Sequence, residues 1–183
     1  MKREQAYTLL KKYTTKPNLL KHGLAVEAVM RHFAQMQGED IEYWGVVGLL
    51  HDIDYELGEK EHCHACVKIL KEEGISDEII KSIQSHGYEL CTDIKPEHNM
   101  EKVLITIDQI TGFIIACALM KPNKTLAEVT LKSMKKKWKD KGFARGTERA
   151  RIEKWTADMG KDMDFMLEES LKGMLVIHAE LGL

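Results

Sequence analysis

Trp44-Gly45-Val46-Val47-Gly48-Leu49-Leu50-His51-Asp52 is an apolar run that ends in two adjacent residues able to ligate a metal. The spacing Trp44, Val47, Gly48, His51 puts the histidine on the apolar face of a buried helix predicted over about 40–51. Packing alone gives no reason for an imidazole and a carboxylate at that place. Together they suit zinc, iron, manganese and similar ions.

Moving outward, the same anomaly recurs. A helix is predicted from Leu19 to Gln37, with Gly38 as its stop, and His22 falls on the stripe Val26, Val29, Phe33, Met36. A helix over about 60–73, ended by Gly74, aligns His62 with Cys66 and Ile69. Ser76 is the N-cap of the next, with Asp77 and Glu78 in its first turn, and there Ile79, Ile83 and His86 align. A long helix over about 97–120 stops before Pro122 and carries Leu104, Asp108, Thr111 and Ile115 on one stripe.

One histidine on an apolar face is ordinarily a satisfied core residue. An unpaired carboxylate there costs several kcal/mol and needs a cation, a protonated partner or a donor network. Four histidines with Asp52 and Asp108, spread over five helices, share one explanation, which is convergence on a metal centre. A bound metal offsets the desolvation of the carboxylates and uses the imidazole lone pairs. It also lowers the pKa of bound water, from about 15.7 toward about 7 for zinc, and so makes a nucleophile near neutral pH.

The rest of the chain is helical in pattern. A first helix is predicted over 3–14, and the C-terminal part divides into helices near 124–141, 146–159 and 161–181. The three prolines, at 17, 96 and 122, fall between helical patterns, and no β-type alternation persists. The expectation is an all-α bundle forming one domain over 1–183, with a metal-site core over about 18–120 and a basic helical extension over about 121–183. A hydrophobic content of 44% with 31% charged residues reads as soluble and globular. No uninterrupted apolar stretch approaches the roughly 18 residues of a membrane span, and the N-terminus is polar. A cytoplasmic protein with no membrane partner and four reduced cysteines is expected.

The net charge of −2 conceals an asymmetry: residues 121–154 hold twelve Lys/Arg against four Asp/Glu. A basic stretch attracts phosphates, although a solvated helix face has the same composition. Lys135-Lys136-Lys137-Trp138-Lys139 interleaves an aromatic with cations, as single-strand nucleic-acid grooves do. One tryptophan is thin support, Trp138 also suits core packing, and a nucleic-acid partner is not expected. His62-Cys63-His64-Ala65-Cys66 suggests a structural zinc site, but a closed site needs a second ligand pair, and Cys91 and Cys117 have no paired spacing.

The order His22, His51-Asp52, Asp108 resembles the HD-domain superfamily of metal-dependent phosphohydrolases, whose pattern is H…HD…D, over about residues 18–120. The resemblance implies an HD-domain-like helical bundle. Members with two metals add two histidines between the doublet and the last aspartate, and His62 and His86 resemble these. His64 is a rival to His62 but lies off the Cys66/Ile69 stripe. On that mapping His22, His51, Asp52 and Asp108 hold one metal, and Asp52, His62 and His86 the other, with Asp52 bridging. The strings Leu49–Glu56 and Asp108–Ile114 and the basic stretch resemble a bacterial branch of predicted HD hydrolases, which extends the likeness to nearly the whole chain. Cyclic-dinucleotide phosphodiesterases of the superfamily have Gly-Lys after the doublet, where this chain has Asp54-Tyr55, and His86-Gly87-Tyr88-Glu89 is only a fragment of their Gly-Tyr-Pro motif.

The expected activity is hydrolysis of a small phosphate ester, such as a nucleotide, by metal-activated water. The expected cofactor is one or two divalent ions of iron, manganese, zinc, nickel or cobalt. Asp52 is placed at the reacting centre, Asp54 or Glu56 as proton donor or supporting base, and Lys121, Lys132 and Arg145 on the substrate phosphate. Two alternatives use the same ligands: a di-iron oxygenase of HD type and a non-catalytic nucleotide-binding sensor. Oligomeric state is not legible.

Overall fold

A computed structural model describes residues 1–58 and 60–183. Its helices are α1 (Arg3–Tyr13), α2 (Pro17–Gln37), α3 (Ile41–Leu50), α4 (Ala65–Glu72), α5 (Asp77–Ser85), α6 (Asn99–Leu119), α7 (Leu131–Lys139), α8 (Arg149–Asp158), α9 (Met163–Leu175) and α10 (His178–Leu181). Short 3₁₀ turns occupy Tyr55–Leu57 and Leu126–Glu128. There is no β-strand among the described residues, and the fold is all-α.

Local chemistry sets the ends. Pro17 opens α2, where its missing N–H costs nothing, and Gly38 closes it at φ +71, with its own N–H and that of Glu39 returning to carbonyls of the last turn. Asp40 caps α3 by accepting from the Tyr43 amide at 3.0 Å, and the Ser76 side chain caps α5. Glu101 fixes the start of α6 by accepting from the amides of Glu97 and His98.

α2 and α6 form the centre. α3 and α9 pack on α2, while α8 and α9 pack on α6. Glycines let α3 lie close on α2. A Cβ on Gly48 would stand 2.8 Å from Met30 Cγ and 3.2 Å from the Val26 carbonyl, and one on Gly23 would stand 3.3 Å from the Leu49 carbonyl. Those contacts bring His22 and His51 into one neighbourhood. α6 is long and apolar enough to cross a membrane, but 61% of its apolar window is buried inside the protein.

Three expectations are corrected. The fourth helix begins at Ala65, not near 60, so His62 lies in the turns before it. The segment 124–141 splits: Thr130 caps a new helix by accepting from the Ser133 amide at 3.2 Å, and the 3₁₀ turn precedes it. The segment 161–181 divides after Leu175 into α9 and α10.

Candidate metal centre

Six ionisable side chains meet where α2, α3, α5 and α6 converge. His22 comes from the second turn of α2 and Asp108 from the middle of α6. His51 and His86 are the residues that cap the C-termini of α3 and α5. Asp52 follows His51, and His62 reaches in from the loop before α4.

Asp52 is the hub. Its Oδ2 lies 3.5 Å from His22 Nε2 and 3.4 Å from His51 Nε2. Its Oδ1 lies 3.3 Å from His86 Nε2 and 3.7 Å from His62 Nε2. Asp108 Oδ1 stands 3.0 Å from His22 Nε2 and 3.4 Å from His51 Nε2. Donor atoms of His22, His51, Asp52 and Asp108 all lie within 4.8 Å of one another, and His62 and His86 form a second such group with Cys63.

The opposite nitrogen of every ring is tied to the protein. His51 Nδ1 donates to the Gly48 carbonyl at 2.7 Å and His86 Nδ1 to the Ile83 carbonyl at 2.5 Å. His62 Nδ1 donates to Asp54 Oδ1 at 3.1 Å. The Thr111 hydroxyl donates to the Asp108 carbonyl at 2.6 Å, which leaves its oxygen to accept from His22 Nδ1 at 3.4 Å. A carbonyl can only accept, so Nδ1 of His51 and His86 must carry the proton. In a neutral ring Nε2 is then a bare lone pair.

Four lone pairs turned onto two carboxylates repel unless a proton or a cation lies between them. The titration behaviour says the same. Burial pushes the His51 imidazole down, yet Asp52 and Asp108 outweigh it and hold it well above its usual pKa. Burial pushes Asp52 and Asp108 up, yet His51 and its fellow imidazoles hold both below the usual carboxylate range. His51 Nε2 is fully buried and has no hydrogen-bond partner. This donor set, two imidazoles and two carboxylates beside two further imidazoles sharing one carboxylate, fits divalent ions.

His22, Asp52, His62, His86 and Asp108 line an open cleft of about 990 Å³. Lys16 and Arg151 stand on its wall. Arg151 is fixed by donating from Nη2 to the carbonyls of His86 at 2.5 Å and Tyr88 at 2.8 Å.

The remaining site expectations fall elsewhere. Asp54 is fully buried and absent from the cleft wall. Its two oxygens accept from His62 Nδ1 and, at 2.8 Å, from the Cys66 amide. Burial pushes its pKa up, but His62 and the Cys66 amide outweigh that and hold it down. Its carboxylate is thus held in the ionised form, with its oxygens engaged by His62 and Cys66. Glu56 does face the cleft, but its carboxylate is taken up by the amides of Thr15 and Lys16 and by the Thr15 hydroxyl. It ties the 3₁₀ turn to the start of α2 and so positions Lys16. Lys121, Lys132 and Arg145 do not line the cleft. Lys121 lies beyond the end of α6, thirteen residues or about 20 Å along the axis from Asp108. Lys132 and Arg145 are exposed. Trp138 packs edge-on against Phe113 at 5.0 Å and under Arg149 at 5.4 Å, so it is no open stacking platform.

Sequence reasoning missed Arg151, which belongs to the basic stretch and is set apart from its neighbours only by folding. It also missed Lys16, the residue just before α2, and it set Cys63 aside together with the closed zinc site that His62–Cys66 suggested. No curated protein and no solved structure matches the chain. The family model for the HD domain matches residues 19–110, just over half of the 183 residues, and the match takes in every one of the six converging side chains. The chain belongs to the HD domain family, a family of metal-dependent hydrolases.

Proposed function

We propose that this protein is a phosphohydrolase in which His22, His51, Asp52 and Asp108 hold one divalent ion, while Asp52, His62 and His86 hold a second, with Asp52 shared. The observation that supports this most is the common orientation of the four imidazoles. Each has Nδ1 anchored on a protein acceptor and Nε2 turned onto Asp52 or Asp108. Such anchoring fixes the tautomer that ligates metal and raises its basicity.

When bound, the ions supply a water of lowered pKa and neutralise developing charge on phosphate oxygens. The chain's own residues do the rest. Arg151 and Lys16 place positive charge on the cleft wall, where a phosphate entering over Asp52 meets it. Arg151 is the better fixed, since both carbonyls it binds belong to the segment that carries His86. Leu19, Leu90 and Phe113 give the cleft an apolar side. Its volume suits a molecule of nucleotide size. A small phosphate ester, such as a nucleotide, is the substrate class we infer.

The test is metal content of the protein purified without chelator, with release of phosphate from an aryl phosphate and a nucleotide panel. Two ions per chain and turnover are expected, and both are lost in His51→Ala and Asp52→Ala. Hydrolysis unchanged by either substitution would sink the proposal. A tight nucleotide complex with no turnover under any metal would replace it with a sensor.

A further inference from the structure

Cys63 is buried, yet it stands outside the apolar core cluster to which Cys66 and Cys117 belong. Its sulfur lies instead 3.4 Å from His62 Nε2 and 3.8 Å from His86 Nε2. The backbone takes an unusual path to put it there. Cys63 has φ +63, a left-handed conformation that residues with a Cβ rarely adopt and that marks functional sites. Gln84, two residues before His86 on the same helix, pins that turn by donating to the Cys63 carbonyl at 2.8 Å. Next to His86, Gly87 leaves room for the sulfur, because a Cβ on it would stand 2.6 Å from Cys63 Sγ.

We infer that Cys63 is a fourth protein ligand of the second ion, beside Asp52, His62 and His86, so that the two halves of the centre select different metals. This rests on the proposal that His62 and His86 hold an ion at all. On binding, the thiol proton passes to solvent and a sulfur lone pair bonds the ion. No electron is exchanged. Four of the six ligand-to-ligand spacings are close to those of a tetrahedral site. With nitrogen and oxygen at about 2.0–2.1 Å and sulfur at about 2.3 Å from zinc, neighbouring ligand atoms stand about 3.3–3.6 Å apart. The separations in the structure are 3.3 Å (His86 to Asp52), 3.7 Å (His62 to Asp52), 3.4 Å (Cys63 to His62) and 3.8 Å (Cys63 to His86). Cys91 is the nearby rival, but its thiol donates to the Gly87 carbonyl at 3.7 Å.

The chemical consequence is an asymmetric pair. His22, His51, Asp52 and Asp108 offer nitrogen and oxygen only, a set that discriminates less strongly against manganese than a site with sulfur does. A thiolate at the second position favours zinc, cobalt or ferrous iron over the harder ions.

Cobalt is the probe. The metal-free full-length protein is loaded with Co²⁺, counted per chain and followed by absorption. Two ions per chain with a near-ultraviolet sulfur-to-cobalt charge-transfer band are expected. Cys63→Ser should lose the band, and Cys91→Ser should keep it. Zinc affinity at one position of Cys63→Ser should fall by more than the roughly 10- to 100-fold that loss of a supporting hydrogen bond costs. X-ray absorption of the zinc-loaded wild type, which needs no variant, should show a sulfur scatterer at about 2.3 Å. Two cobalt ions bound through nitrogen and oxygen alone would overturn the thiolate ligand and leave the two-ion proposal standing. A band lost in Cys91→Ser instead of Cys63→Ser would overturn it as well. Fewer than two ions with no sulfur signal would overturn both.

Discussion

Asp54→Asn isolates the step from local hydrogen bonding to metal affinity. Asp54 is buried between two donors, His62 Nδ1 at 3.1 Å and the Cys66 amide at 2.8 Å near the start of α4. The carboxylate accepts from both and thereby caps α4 as well as orienting the ring. Asparagine has the same volume but one acceptor and one donor. If its oxygen serves Cys66, its NH₂ faces His62 Nδ1 and drives the ring proton to Nε2, the atom that points at Asp52. If its oxygen serves His62, the NH₂ faces the Cys66 amide and α4 loses its cap.

Loss of such an anchor costs about 10- to 100-fold in metal affinity, or about 1.4–2.8 kcal/mol. It should fall on the second ion, because His62 reaches Asp52 through Oδ1, the oxygen away from His22 and His51. The lost charge-assisted bond costs about 1.5–3 kcal/mol of stability, or about 3–12 °C of Tm at this size. Titration calorimetry with zinc separates the two sites, and nitrogen NMR reports the His62 tautomer directly. Unchanged affinity at both sites with the ring proton still on Nδ1 would refute the reasoning. So would a loss confined to the first site.

Gly48→Ala should cost about 1–3 kcal/mol through overpacking, because its Cβ meets Met30 Cγ at 2.8 Å and the backbone oxygen of Val26 at 3.2 Å; thermal denaturation measures this, and a neutral result would show that α2 and α3 can separate freely. Arg151→Met should leave metal content intact and lower kcat/KM for a phosphate ester by about 100-fold, with partial recovery in Arg151→Lys. In the metal-free protein the lowered pKa values of Asp52 and Asp108 add stability present above about pH 4 and lost as pH falls through their folded values. The raised His51 adds stability present below about pH 6.5 and lost as pH rises through its folded value, so Tm of the metal-free protein should decline on the alkaline side while the metal-loaded protein, with a cation in place of the proton, should not.

The helical fold and the helix-borne cluster were legible because both are written in period. His22, His86 and Asp108 share stripes with core residues, so a 3.6-residue repeat places them inward before any coordinate is known. His62 reaches the cluster for another reason. It precedes α4, and a turn through Cys63 with positive φ carries it inward, which no periodicity encodes. The cleft is not lined by Lys121, Lys132 or Arg145: charge density reports solvated faces as readily as ligands. Lys135 and Lys154 of the basic stretch pair with Asp164 and Glu89 on the surface, while Arg151 is turned inward by two backbone carbonyls. Asp54 and Glu56 were favoured by proximity to the doublet, yet both are spent on backbone amides. The break of the segment 124–141 was written in Thr130 and Ser133, whose reciprocal bonds start a helix.

The position of the doublet at a helix end has its own physical logic. The last carbonyls of any helix lack an N–H partner and must find one. His51 and His86 cap α3 and α5, and each donates Nδ1 to the carbonyl three residues back, Gly48 and Ile83. One hydrogen bond therefore satisfies the helix end and fixes the ring, with Nε2 projecting beyond the last turn toward Asp52. Were α3 to continue another turn, the Gly48 carbonyl would accept from the residue 52 amide in the regular helical ladder, and His51 would have to compete for it. Termination of the helix at the doublet thus does more than expose two side chains. It supplies the acceptor that fixes His51 in the tautomer a metal would require, and this is why an apolar helix that stops at His-Asp is the most informative stretch of the chain.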